Sequence, residues 1–209
     1  MKLNAIEVPP RATGLSRTLV LLHGYGADEH DLVPIAGELD PRLRVVSLQG
    51  PIALGGPMRA WFALTQDPRG QISFDLEEAR AAVQGAAAAV AEIAAGSPRP
   101  FLLGFSQGAG IALGVALLRP ELAAGVLSLS GVARALDDRD HAPPDKLRGF
   151  PVFAAHGLQD PLIPIEVGRK LRGDLTKLGM DVEWHEYDMG HMLIPEEIAD
   201  AREWLKKHS

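Results

Sequence analysis

Cysteine is absent from all 209 residues. That removes disulfides, thiolate metal ligands and a cysteine nucleophile together. Long apolar runs are absent too, none reaching the roughly 20 residues that span a bilayer. The first seven residues, Met1 to Glu7, lack the apolar stretch of a signal peptide. A cytoplasmic location is therefore the default expectation, with a processed secreted form left open. Basic charge is in short supply: 21 Lys and Arg face 27 Asp and Glu, for a net charge of −6. Nucleic acid needs a basic surface, so it is excluded as a partner. The seven histidines are scattered without metal-ligand spacing, and no metal site is expected. No internal repeat or linker divides the chain.

What is present is ordinary in amount and ordered in arrangement. The composition is 46% hydrophobic and 23% charged, and the length suits one domain spanning 1–209. Apolar strand-type runs alternate with helix-type periodicity. The strand-type runs are Thr18 to Leu22, Leu43 to Leu48, Pro100 to Leu103, Gly125 to Leu129, Pro151 to Ala155 and Val182 to Tyr187. Helical spacing covers Asp31 to Leu39, Asp75 to Ala95, Ala109 to Leu118, Ile165 to Leu178 and Pro195 to Lys207. Asp75 reads as an N-cap with Glu78 completing a capping box. Residues 51–72 and 133–149 read as loops. The alternation predicts an α/β fold, with a single doubly wound, mostly parallel sheet covered by helices on both faces. No stretch is long enough for a separate cap domain.

One pentad stands out against this background. Gly104-Phe105-Ser106-Gln107-Gly108 lies between a strand and a helix, the setting of a nucleophile elbow in the α/β-hydrolase fold. With 8 Ser and 22 Gly in the chain, chance alone gives such a pentad with odds of roughly one in ten. Its weight comes from partners. In open α/β sheets ligands bind beyond the carboxyl ends of strands. Asp160 follows the strand ending at Ala155, and His191 follows the strand ending at Tyr187. The chain order Ser, Asp, His is the one expected for this fold.

Their chemistry is complementary. Imidazole titrates near neutrality and can take the proton of a serine hydroxyl, and a carboxylate behind it fixes the tautomer. Ser106 is thus the candidate nucleophile, His191 the general base and then acid, and Asp160 the orienting acid. The backbone N–H groups of Gln107 and Tyr25, the latter in His23-Gly24-Tyr25-Gly26, are the candidate oxyanion donors. Asp188 competes with Asp160 by proximity to His191 but reads as a solvated loop residue. Glu183 and Glu186 lie within a strand. His23 and His156 read as structural histidines beside the site.

Taken with Trp61-Phe62, these blocks resemble the carboxylesterase, phospholipase and acyl-protein thioesterase family of small α/β-hydrolases. The resemblance rests on Leu22-His23-Gly24-Tyr25-Gly26, Gly104 to Ala109, His156-Gly157-x-x-Asp160 and Gly190-His191, in order from about Leu19 onward. It implies a cofactor-free hydrolase acting on carboxylic esters, lysophospholipids or protein thioesters. It also implies that Trp61 and Ile163 border an acyl pocket, the alternative for Trp61 being a plain core residue. Ala63 departs from the Asp that many thioesterase members carry after the aromatic pair. That departure leans towards hydrolysis of short- to medium-chain esters, small molecules being the substrates. Dimers are common in that family, but the sequence shows no interface.

Overall fold

The computed structural model describes residues 3–14, 17–67, 72–132 and 139–209. In chain order the elements are β1 (Ala5–Val8), β2 (Thr18–Leu22), α1 (Val33–Leu39), β3 (Arg44–Leu48), β4 (Ile52–Gly55), β5 (Met58–Ala60), β6 (Thr65–Gln66), β7 (Ile72–Ser73), α2 (Leu76–Ala94), β8 (Phe101–Phe105), α3 (Gln107–Leu118), β9 (Gly125–Leu129), α4 (Pro144–Leu147), β10 (Pro151–Gly157), α5 (Ile165–Lys177), β11 (Asp181–Tyr187) and α6 (Pro195–His208). Seven strands form one sheet in the order β1-β3-β2-β8-β9-β10-β11. Six run parallel, and β1 closes one edge antiparallel to β3.

Successive residues of a strand point to opposite faces, and here both faces are buried. Val20, Leu22, Leu102 and Val126 meet Ala86 and Val90 of α2 and Ile111 and Val115 of α3 on one side. Leu19, Leu21, Leu103 and Leu127 meet Ala36 and Leu39 of α1 and Trp204 and Leu205 of α6 on the other. Double burial explains why the central strands read as continuous apolar runs instead of alternating ones. The architecture is the α/β-hydrolase fold, with no separate cap among the described residues.

The structure revises several local readings. The run 51–72 is not one loop, because its described part holds the β4–β5 hairpin and the β6–β7 pair. Its residues 68–71 lie outside the described residues, as do 133–138 of the second predicted loop and Met1 and Lys2 at the start. That second loop ends in the short helix α4. Asp75 does cap α2, accepting from Glu77 N and Glu78 N. The carboxylate of Glu78, however, accepts from Ala63 N at 3.2 Å, so it fastens the 61–64 segment to α2. β10 runs two residues further than predicted, through His156 and Gly157. β1 was not anticipated.

Candidate active site

The chain leaves β8 at Phe105 and enters α3 at Gln107, so it reverses at Ser106. Ser106 has φ 54° and ψ −118°, a left-handed conformation that costs a non-glycine residue on the order of 1–3 kcal/mol. The surroundings hold it there. Its N–H donates to Leu129 O at 2.9 Å, and its carbonyl accepts from Ala109 N and Gly110 N at 3.1 and 3.3 Å. A Cβ on Gly104 would run into the Gly108 carbonyl, and one on Gly108 into the carbonyls of Leu22 and His23. Both glycines are therefore required by contact. The elbow sits hard against the end of β2, where the His23–Gly26 loop begins.

His191 comes from the loop after β11. Its Nε2 lies 2.8 Å from Ser106 Oγ and its Nδ1 2.7 Å from Asp160 Oδ2. A carboxylate accepts only, so Nδ1 carries the proton and Nε2 is left to accept from the serine hydroxyl. Asp160 is buried and fixed from behind, its Oδ1 accepting from Leu162 N and Ile163 N at 2.9 and 2.8 Å. The Phe105 ring packs 4.9 Å from the imidazole. Such an arrangement can transfer a proton from a serine hydroxyl while that oxygen attacks a carbonyl carbon.

The other candidates fall into place around this line. Asp188 is exposed and accepts from Gln159 Nε2 at 2.6 Å. Glu186 pairs with Arg169, whose guanidinium holds its carboxyl at about 2. Glu183 accompanies His185 and Lys207. His156 is buried and points Nε2 at Ile163 O, 2.8 Å away, with Asp160 Oδ2 at 3.5 Å. His23 is buried with its pKa pulled down by burial. Its Nε2 accepts from Gly50 N at 2.9 Å, so Nδ1 donates to Gly24 O at 2.8 Å. A neutral imidazole satisfies both contacts.

A cavity of about 940 Å³ opens over Ser106 and His191, within the range of ligand sites. Gly24, Tyr25, Gln107 and Ile163 line it, and its apolar wall continues through Phe62, Leu64 and Phe74. It runs between α2 and α3, past Val83 and Gly114, as far as Leu117 and Leu118. Arg80 and Asp140 also line it and are joined at 2.6 and 3.0 Å. Among the described residues no cluster of His, Asp or Glu could hold a metal ion.

Trp61 needs a correction. It is 1% exposed and does not line the cavity; the adjacent Phe62 does. Its ring packs 5.5 Å from that of His23, and its Nε1 donates to His23 O at 2.9 Å. The resemblance assigns the pocket border to Trp61 and Ile163, and of these only Ile163 lines the cavity. Sequence reasoning also missed the side chain of Gln107, buried and bonded at both ends: Oε1 accepts from Trp61 N and Nε2 donates to Phe62 O, each at 2.9 Å.

Comparison with known proteins finds similar ones along the whole chain. A model of the phospholipase/carboxylesterase family matches residues 3–209. Acyl-protein thioesterase 1 of Kluyveromyces lactis is 30% identical over 224 residues, covering 99% of this chain and 98% of that one. Acyl-protein thioesterase 1 of Gibberella zeae is 39% identical over 114 residues, a match of 52% of this chain to 48% of that protein. The crystal structure of the Bacillus cereus carboxylesterase superposes with a TM-score of 0.85 at 25% identity, covering 99% of this chain and 95% of that one.

Proposed function

Because the chain belongs to the phospholipase/carboxylesterase family, a family of ester and thioester hydrolases, we propose that it is a serine carboxylesterase working through an acyl-enzyme. Ser106 Oγ attacks the ester carbonyl carbon and passes its proton to His191 Nε2. The carbonyl oxygen takes the negative charge and is held by the N–H groups of Tyr25 and Gln107. Collapse of that intermediate expels the alcohol, which receives the proton from His191. Water, activated by the same imidazole, then attacks the acyl carbon and releases the acid and Ser106. Asp160 keeps the imidazole in its productive tautomer and stabilises the imidazolium. Each oxyanion donor is worth about 2.7–4 kcal/mol in sites of this type.

The observation that carries this reading is the continuous line Ser106 Oγ, His191, Asp160, at 2.8 and 2.7 Å. Ser106→Ala is expected to lower turnover of a short-chain aryl ester by a factor of about 10³ or more with the circular dichroism spectrum unchanged. Full activity in that variant would refute the reading.

A second reading shares the chemistry and differs in the substrate: a lysophospholipid or a protein thioester. Cavity depth favours it. From Ser106 to Leu118 along α3 is twelve residues, about 18 Å at the rise of a helix, and both ends of that stretch line the cavity, with Arg80, Gln84 and Asp140 set beside its apolar residues. Such a slot accommodates a longer acyl chain than a short-ester hydrolase needs. Competition between an acyl thioester, a lysophospholipid and a butyrate ester separates the two readings. The ester is expected to have the highest kcat/KM under the first, and a long-chain substrate under the second.

A further inference from the structure

The two proposed oxyanion donors belong to different elements: Gln107 N heads α3, and Tyr25 N sits in the loop after β2. Their spacing has to be set by something that touches both. The segment from Arg59 to Phe62 does so. On the β2 side, Arg59 O accepts from Gly26 N at 2.8 Å and Arg59 N donates to Ala27 O at 2.9 Å. Trp61 Nε1 adds a bond to His23 O at 2.9 Å. These three bonds fall on both sides of Tyr25. On the α3 side, Trp61 N and Phe62 O are held by the two ends of the Gln107 amide, each at 2.9 Å. Glu78 accepts from the next N–H, that of Ala63.

The brace has little slack. Trp61 and Gln107 are almost fully buried, at 1% and 5% exposed. Gly50, which donates to His23 Nε2, leaves no room for a Cβ, which would lie 2.6 Å from Ala60 O. Buried amide and indole groups keep such partners, because losing one strands the other in a dry site. Oxyanion donors act only when held where the charge will develop.

We infer that Trp61, which does not line the cavity, and the Gln107 side chain, whose amide is spent on Trp61 N and Phe62 O, are positioning residues for the oxyanion hole. The inference rests on the proposed roles of Tyr25 N and Gln107 N. Its consequence is specific. Loosening the brace weakens transition-state binding equally for every acyl group, because the oxyanion is common to all esters. Removing a pocket wall instead produces a loss that grows with acyl length.

The test compares Trp61→Phe, which keeps a ring but has no indole N–H, and Gln107→Met, which keeps length but has no amide. Both are assayed on aryl esters from acetyl to dodecanoyl. Each variant is expected to lower kcat by about tenfold or more, by the same factor across the series and with KM little changed. A trifluoromethyl ketone probes the oxyanion directly. Ser106 Oγ bonds to its carbonyl carbon, the proton passes to His191, and the carbonyl oxygen becomes the anion. Its Ki is expected to rise by the same factor that kcat/KM falls. A loss that scales with acyl length, a loss in KM alone, or wild-type kinetics overturns the inference. Should Trp61→Phe fail to fold, Gln107→Met alone decides by the same criteria. Full activity in Ser106→Ala would overturn the catalytic reading itself, a result distinct from these.

Discussion

At the scale of single residues, the site is built where ordinary preferences are overridden. Ser106 holds φ 54°, a region that glycine occupies without strain and serine does not. Ser106→Gly is therefore expected to raise the thermal midpoint by a few degrees, equivalent to about 1 kcal/mol or more, while removing hydrolysis. Differential scanning calorimetry beside an ester assay checks both halves. Serine at this position reads as stability given up for a hydroxyl aimed at His191. The neighbouring glycines answer to contact: Gly104 and Gly108 let the turn lie against its own helix and the end of β2. Those letters were legible in the sequence because a turn this tight leaves only one residue type at each end. Trp61 was not legible in the same way. An aromatic next to an aromatic announces burial, but which ring meets the cavity depends on how the β4–β5 hairpin is rotated.

At the scale of elements, strands buried on both faces and the longer helices are written in local periodicity, and the sequence located their cores to within a few residues. What it missed needs distant partners. β1 is four residues with Glu7 among them, and it exists through pairing with β3 some forty residues away. β6 and β7 have two residues each and acquire strand geometry only from one another. The start of α6 shows another tertiary effect. Glu197, the third residue of that helix, is fully buried, and neither carboxyl oxygen has a hydrogen-bond partner of ordinary geometry among the described residues. Burial pushes its carboxyl up to about 8, outweighing the Ile194 N–H that favours the anion. Unfolded, the same group titrates near 4.5. Between those values the folded chain binds the extra proton, so this group's contribution is fully present below about 4.5 and is lost as pH rises through about 8. Glu197→Gln mimics the protonated form. Its advantage over wild type in urea unfolding is expected to grow between pH 5 and pH 8, reaching a few kcal/mol. A pH-independent difference would show that Glu197 is not protonated in the folded protein.

At the scale of the whole molecule, the sheet does the assembling. Ser106, Asp160 and His191 span 85 positions of sequence, yet each follows the carboxyl end of a strand, β8, β10 and β11 in turn. β8, β9, β10 and β11 are consecutive neighbours in the sheet, so parallel pairing delivers all three to one edge. That each of the three follows a strand was readable in the sequence, in the chain order Ser, Asp, His, and it is why the reaction class was legible. The acyl group was not, because the cavity is shaped by α2, α3 and the 62–66 segment together, and no local pattern encodes a volume. The brace from Arg59 to Phe62 belongs to the same class of information.

The central claim is that Ser106 is a nucleophile activated by His191. Intact-mass spectrometry after exposure to an alkyl fluorophosphonate reads this directly, since attack by Oγ on phosphorus expels fluoride and leaves a stable phosphonyl ester. One adduct per chain is expected, mapped to Ser106 by peptide sequencing, absent from Ser106→Ala and formed far more slowly by His191→Ala. An unlabelled wild-type chain, or an adduct on any other residue, would contradict the account.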